Sequence, residues 1–209
     1  MTVVDVFADV CCPFTHVGLR RLVQRRDAAG ADVQLRVRAW PLELVNGTPL
    51  DGPFVAEEIV DLREQVAADC FVGFDVAAFP ASSLPAMDLT AAGYARNVET
   101  GERVALAVRD ALFEHGRDIA DPVVLAAIAT EAGLTDWEPA SPSTSERWRD
   151  AVLADWEEGK ARGVIGSPHF FVGAEDHFCP ALHIERVDGH LRIDADEDVF
   201  EAFVQRVMT

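Results

Sequence analysis

The stretch DVCCPFTHVG, residues 9–18, places two adjacent cysteines directly before a proline. A dithiol redox motif has the form Cys-x-x-Cys, and CPFT at 12–15 matches it except at the last position, where threonine stands. The preceding run, TVVDVFA at 2–8, is short and rich in β-branched residues, which predicts a buried strand. Pro13 suits the first position of a helix, where its missing N–H costs nothing. The stretch therefore predicts a cysteine at a strand-to-helix junction.

That junction favours a reactive Cys12. Backbone N–H groups and the positive end of the helix dipole face the sulfur there, and both stabilise the thiolate relative to the thiol. We therefore expect the pKa of Cys12 to lie below that of a free cysteine. Thr15 lies one turn further on, where its hydroxyl can hydrogen-bond the sulfur. The alternative is a cysteine buried as a small apolar side chain.

A second signal is GVIGSPHFFV, residues 163–172, where Pro168 stands just before an apolar run. Proline removes a ladder donor and so belongs at the start of a strand. A cis Ser167–Pro168 peptide would present the Ser167 backbone to a bound thiol or peptide. The stretch by itself favours the trans form, because only ~5% of X–Pro bonds in folded proteins are cis. We interpret His169 as an outward-facing strand residue.

Together the two stretches resemble a known family. DVCCPFTHVG resembles the active-site segment of the DsbA-like branch of the thioredoxin superfamily, and GVIGSPHFFV resembles its cis-proline loop. AWPLELVNG (39–47) and ALFEHGRDIADPVVLAAIATEAGL (111–134) resemble the FrnE and 2-hydroxychromene-2-carboxylate isomerase group within that branch. The resemblance spans nearly the whole chain. It implies that Cys12 is the nucleophile and that the Ser167–Pro168 peptide is cis.

The order of predicted elements supports this fold. Strand, helix and strand are predicted at 2–8, 13–29 and 32–40, and short strands return from 168 onward, with a hairpin turn at 188–189 and a last helix at 197–207. Helical spacing predicts the helices between them, at 57–69, 84–97, 100–115, 122–132 and 145–161, with a loop at 135–145. Asp121 and Ser145 are the predicted N-caps.

The predicted fold class is α/β, a thioredoxin fold with a large all-helical insertion. The insertion lies between an N-terminal strand–helix–strand unit and a C-terminal strand–strand–helix unit. Residues 1–45 and 146–209 are predicted to form the discontinuous thioredoxin-like domain, and 46–145 the helical insertion subdomain.

Thr15 departs from the dithiol pattern of the family, so another thiol must resolve a mixed disulfide. Cys179 is one candidate, because a turn at 173–176 would bring it back beside Pro168. Cys11 is a poor one, since adjacent cysteines form strained disulfides, and we expect it to face the core. We expect Cys70 to pack as an apolar residue. The remaining candidate is an external low-molecular-weight thiol such as glutathione or mycothiol.

Three functions are compatible with these residues. The first is a DsbA-family thiol–disulfide oxidoreductase with a monothiol site, in which Cys12, Thr15 and Pro168 carry the chemistry. The second is a thiol-dependent isomerase or transferase of the 2-hydroxychromene-2-carboxylate isomerase type, similar to kappa-class glutathione transferases. The third is a non-catalytic binding module on the same scaffold. In the first two, the residues expected to bind substrate or thiol are Pro13, Phe14, His16 and Ser167.

Composition limits the partners. The 209 residues carry a formal net charge of −18, which argues against nucleic acid and anionic membrane surfaces. No signal peptide or transmembrane run is visible, so we predict a cytoplasmic protein without a covalently bound cofactor. No histidine or cysteine spacing indicates a metal site. The expected partner is a thiol or disulfide, on a small molecule or a protein, and a homodimer remains open.

Overall fold

The computed structural model describes residues 2–135, 137, 142–188 and 190–208. A four-stranded sheet forms its centre, with strand order β2-β1-β3-β4. The strands are β1 (Thr2–Ala8), β2 (Val33–Ala39), β3 (His169–Val172) and β4 (Glu175–Phe178). Strand β1 pairs in parallel with β2 and antiparallel with β3, and β3 pairs antiparallel with β4. This is the sheet of a thioredoxin-like fold, and the predicted fold class is confirmed.

Helices occupy most of the chain between β2 and β3. They are α2 (Leu42–Asn46), α3 (Gly52–Gln65), α4 (Leu84–Arg96), α5 (Val98–Phe113), α6 (Pro122–Glu131) and α7 (Pro142–Ala161), with a 3₁₀ turn at Val76–Ala78. Helix α1 (Pro13–Ala29) connects β1 to β2, and α8 (Glu197–Met208) follows the last strand. Helix α7 runs across residues 145 and 146, where we placed a domain boundary. The two-domain division stays a prediction.

Capping signals explain where helices begin. The Asp121 carboxylate accepts from the Val123 N–H at 2.8 Å, which confirms the predicted cap of α6. Helix α3 begins five residues before the predicted position, because Asp51 accepts from the Phe54 N–H and Pro53 fits the first turn. Asn97 caps α5 in the same way. Helix α7 begins at Pro142, ahead of the predicted cap at Ser145. Part of the predicted loop, residues 136 and 138–141, lies outside the described residues.

The C-terminal segment differs from the predicted strand–strand–helix unit. The pair β3–β4 joins the central sheet, whereas β5 (His183–Val187) and β6 (His190–Asp194) form a separate antiparallel pair. The predicted hairpin turn is supported by the pairing of Val187 with His190, although Gly189 lies outside the described residues. This hairpin is attached to α3, where the Gln65 side chain donates to the Leu191 carbonyl and accepts from the Ile193 N–H.

The two faces of the central sheet are buried differently. Alternate residues of β1, including Val4, Val6 and Ala8, enter one large apolar core that extends through the helical segment. Phe7 points to the other face and packs with Trp40 and Phe171 in a small second cluster. In the part of the chain described, no helix is both long and apolar enough to cross a membrane.

Candidate active site around Cys12

Cys12 is the residue that precedes helix α1. Its backbone is extended (φ −81°, ψ 116°), and Pro13 takes the first helical position as predicted. The Cys12 carbonyl accepts from the His16 N–H at 3.3 Å, which starts the helix. The cysteine therefore lies at the junction between β1 and α1 that the sequence predicts.

The cis-proline loop lies against this cysteine. The Ser167–Pro168 peptide is cis, as the family resemblance implied and the stretch alone did not. The Cys12 thiol donates to the Ser167 carbonyl, with Sγ and O 3.2 Å apart. Residues 155 positions apart in the chain thus meet at one point, with Pro168 buried behind them.

Two hydroxyls extend the network from the loop to the sulfur. The Ser167 Oγ accepts from the Asp9 N–H at 2.9 Å and lies 2.7 Å from the Thr15 Oγ1. Because the amide can only donate, the Ser167 hydroxyl is free to donate to Thr15. The Thr15 hydroxyl is then free to donate to the Cys12 sulfur. The network is therefore directed toward the sulfur, and it can stabilise negative charge there.

The expected low pKa of Cys12 is the first correction. Cys12 is 2% exposed, and burial raises the pKa of its thiol above the ordinary value. Hydrogen bonds from Thr15 and Ser167 lower the pKa, but their combined effect is smaller than the effect of burial. The stabilisation expected from the helix N-terminus is therefore outweighed here by desolvation of the sulfur. In this conformation Cys12 is a protonated thiol that donates to a carbonyl.

Cys179 lies beside the cis-proline loop. Strand β4 returns antiparallel to β3, and the Cys179 N–H donates to the Pro168 carbonyl at 3.0 Å. The register argument for its position therefore agrees with the structure. Burial, followed by the nearby Cys12 sulfur, raises the pKa of Cys179 to about 12. The structure contains no disulfide, and all four cysteines are buried. Cys11 and Cys70 belong to the main core, as expected for both.

Sequence reasoning overlooked Asp9 as a site residue and took it only as the end of a strand. Its carboxylate is buried and accepts from the Cys11 N–H at 2.7 Å and the Leu42 N–H at 2.6 Å. Burial raises the pKa of Asp9 to about 6, against the effect of these two amides. The available signal was an acid inside an apolar run, three residues before the cysteine.

His16 requires a second correction, because it does not line a groove beside Cys12. It is 3% exposed, and its Nε2 lies 2.7 Å from the Glu114 Oε1. Its ring packs between Phe71 and Phe113, with ring centroids 5.3 Å and 5.0 Å away. One helical position after Thr15, the side chain faces the helical insertion and not the cis-proline loop. His16 therefore connects α1 to that insertion.

The other residues predicted to bind substrate or thiol are Pro13, Phe14 and Ser167, and their burial differs. Phe14 is half-buried and packs against the main core, Pro13 is buried, and Ser167 is half-buried.

His169 is a third correction: it is buried, not outward-facing, and its Nε2 lies 3.0 Å from the Asp176 Oδ1. It lies on the Phe7 face of the sheet, where its ring packs on Phe171 at 4.7 Å between centroids. The described residues contain no group of three metal-ligating side chains.

The fold and the site define a thioredoxin-like protein whose redox motif has one cysteine. The family model for the DSBA-like thioredoxin domain matches residues 3–194. The chain belongs to the DSBA-like thioredoxin domain family. No curated protein matches it.

Solved structures with the same fold include proteins of different activity. A cytosolic disulfide reductase, DsbM from Pseudomonas aeruginosa, is 16% identical with a TM-score of 0.60, over 97% of each chain. A probable DsbA oxidoreductase from Streptomyces coelicolor is 18% identical with a TM-score of 0.62, over 99% of this chain and 90% of that one. A 2-hydroxychromene-2-carboxylate isomerase is 20% identical with a TM-score of 0.59, over 84% of this chain and 88% of that one. These similarities establish the fold alone.

Proposed function

We propose that this protein is a thiol–disulfide oxidoreductase that uses one active-site thiol, Cys12, and an external thiol. The observation that supports this proposal is the contact of the Cys12 sulfur with the Ser167 carbonyl beside cis-Pro168, with the Thr15 hydroxyl where a second cysteine would stand. The family is one of thiol–disulfide oxidoreductases, and the arrangement keeps its nucleophile position while removing its internal resolving thiol.

The first step is an exchange at the Cys12 sulfur. Cys12 attacks one sulfur of a substrate disulfide, a Cys12–substrate disulfide forms, and the other half leaves as a thiolate that takes the proton released by Cys12. Docking of a substrate displaces the thiol from the Ser167 carbonyl. The Thr15 hydroxyl then donates to the sulfur while it carries negative charge.

The second step returns Cys12 to the reduced state. A second thiolate attacks the substrate's sulfur in the mixed disulfide, a new substrate disulfide forms, and Cys12 leaves as the thiolate. Cys179 lies beside the cis-proline loop, but burial raises its pKa to about 12, so near neutral pH it supplies much less thiolate than a thiol in solution does. The arrangement therefore favours an external low-molecular-weight thiol, glutathione or mycothiol, as the resolving partner.

Mapping the sulfur linkages tests this proposal. The reduced protein is exposed to oxidised glutathione or oxidised mycothiol, free thiols are alkylated, and the digest is analysed by mass spectrometry. We expect a mixed disulfide on Cys12 and its absence in Cys12→Ser, with Cys70→Ser as the matched buried-cysteine control. Thr15→Cys, which restores Cys-Pro-Phe-Cys, serves as the positive control for an internal disulfide.

The other outcomes identify other functions. A Cys12–Cys179 disulfide, lost in Cys179→Ser, would replace the external thiol by an internal one. An unreactive Cys12 in the folded protein would overturn the proposal and favour a binding module. Turnover of an isomerase substrate in full reductant, dependent on added thiol, would favour isomerase chemistry over disulfide exchange.

A further inference from the structure

A cavity of about 260 Å³ opens beside the β2 edge of the central sheet, between α4 and α7. Its walls are mainly apolar and include Val37 of β2, Met87 and Ala91 of α4, and the Trp148 ring of α7. Ala95 and Ala151 line it and are exposed, so they mark its mouth. Cys12 is not among the lining residues, so this cavity is separate from the sulfur site.

Arg109 of α5 lines the cavity and is 2% exposed. Its guanidinium donates to two backbone carbonyls, Ala105 at 2.7 Å and Asp9 at 3.3 Å. Its Nε is buried and has no hydrogen-bond partner. Burying an unpaired cation is costly unless an anion or further acceptors compensate it.

No acid of the described chain forms an ion pair with Arg109. The acid whose charge acts most strongly on Arg109 is Asp9, but its carboxylate oxygens accept from the Cys11 and Leu42 amides and the Ser83 hydroxyl. Asp155 also lines the cavity, but its carboxylate accepts from the Arg38 side chain and the Ala39 N–H, both at 3.1 Å. Arg109 is therefore attracted by the charge of Asp9 but forms a hydrogen bond to no carboxylate of the described residues.

Most other polar groups of the wall already have partners. Arg36 and Arg38 also line the cavity, and they bond Asp5 and Asp155. The Tyr94 hydroxyl already bonds Leu35 and Val37, and the Thr90 hydroxyl bonds Ala86. The Trp148 Nε1, like the Arg109 Nε, is buried without a partner. Both open groups are donors, so the ligand has to bring acceptors.

We propose that this cavity binds a small organic carboxylate with an apolar body, its carboxylate accepting from Arg109. The apolar walls fit a ring or a branched hydrocarbon, and the cation with its unpartnered N–H fits the acid. Because the same guanidinium donates to the Asp9 carbonyl, the bound carboxylate lies one side chain away from the loop that leads to Cys12. This site does not depend on the thiol chemistry proposed above.

Benzoate is the probe, and benzamide, which has the same shape without the charge, is its matched control. Binding is measured by calorimetry and by NMR of the ¹⁵N-labelled arginine Nε–H groups. We expect benzoate to bind about 10- to 100-fold more tightly than benzamide and to shift the Arg109 Nε–H signal. Equal affinity for the two probes, or an unmoved Arg109 signal at saturation, overturns the proposal.

Two tryptophan variants test the location without altering Arg109. Ala151→Trp fills the mouth, whereas Ala154→Trp adds the same side chain at an exposed position of α7 outside the cavity wall. We expect Ala151→Trp to weaken benzoate binding at least about tenfold and Ala154→Trp to leave it unchanged. Arg109→Gln is the direct test if it folds. Unchanged affinity in Ala151→Trp overturns the assignment to this cavity.

Discussion

Two carboxylates flank the first turn of α1, and their surroundings have opposite effects. Asp9, on the Cys12 side, is buried among backbone amides, and burial raises its pKa to about 6. Glu114, on the insertion side, also loses solvation, but hydrogen bonds from His16 and the Phe71 amide, with the charge of Arg20, lower its pKa to about 2. The deeper burial of Asp9 and the hydrogen bonds and charges around Glu114 together move the two pKa values in opposite directions.

The hydrogen-bond cluster around Glu114 and the one around Cys12 also differ in what they stabilise. At Glu114, the partners Arg20 at 3.0 Å and Phe71 at 3.0 Å hold α1, α5 and the segment after α3 together. At Cys12, hydroxyl donors face a sulfur that is still protonated, so the stabilisation appears only when charge forms there. The first cluster supports the folded state, and the second is suited to a transient anion.

The largest expected effect is on stability, at Glu114. Glu114→Gln removes the charge shared by His16 and Arg20, and we expect a loss of about 2–3 kcal/mol in the free energy of unfolding. Urea unfolding measures it, with the exposed Glu157→Gln as control. Cys12 alkylation in the folded variant should be unchanged. A loss no larger than that of the control would contradict the structural role.

The contributions of Glu114 and Asp9 to the free energy of unfolding should depend on pH in opposite directions. The contribution of Glu114 is present above its unfolded value of 4.5 and is lost as the pH falls through about 2. The contribution of Asp9 is present below its unfolded value of 3.8 and is lost as the pH rises through about 6. Unfolding free energies of the wild type, Glu114→Gln and Asp9→Asn from pH 2 to 7 measure both. If the free energies of unfolding of the three proteins changed with pH in parallel, the opposite roles of Glu114 and Asp9 would be contradicted.

A kinetic effect is expected at Thr15. Thr15→Val keeps the shape of the side chain but removes the donor to the sulfur, so Cys12 should react about tenfold more slowly with oxidised glutathione at pH 8. The midpoint of the rate–pH profile should also move to higher pH, which a purely structural defect would not cause. Thr130→Val, an exposed hydroxyl that bonds Ala126, is the control. An unmoved midpoint would contradict the donor role.

The smallest expected effect concerns the charge of Asp9. The Asp9 charge repels a thiolate and so raises the pKa of Cys12, by less than burial does and by less than the Thr15 and Ser167 hydrogen bonds lower it. Asp9→Asn should therefore speed Cys12 alkylation a few-fold above pH 6, where Asp9 is ionised, and have little effect below it. Rates are compared at pH 5 and 8. A slower variant at pH 8 would indicate that Asp9 assists deprotonation instead.

The local sequence was sufficient to predict those elements whose conformation depends on residues within the same short segment. The β-branched run at Thr2–Ala8, the proline at the start of α1 and the Asp121 cap each act within a few residues, so these elements could be predicted. The position of Cys12 at the junction followed from them. The cis-proline loop could be placed only by resemblance to the family, because its partner lies 155 positions away.

The corrected expectations depend on what distant segments cover. Nothing within ten residues of His16 shows that Glu114 and two phenylalanines enclose it, or that His169 is covered on the outer sheet face. The prediction of a low pKa for Cys12 was wrong for the same reason, because desolvation of the sulfur depends on all the residues that surround it. The Arg109 cavity is lined by residues of β1, β2, α4, α5 and α7, and no single stretch of sequence indicated it.

The sequence by itself thus determined the order of the main elements, the helix starts at Pro13 and Pro122, and the position of Cys12 between β1 and α1, because backbone propensity and capping act over short distances. Only the tertiary structure decided that the Cys12 sulfur is buried, that the pKa values of Asp9 and Glu114 shift in opposite directions, and that Arg109 lines a cavity. Burial and pKa shifts depend on residues that are close in space but distant in the sequence, so the order of residues alone does not reveal them.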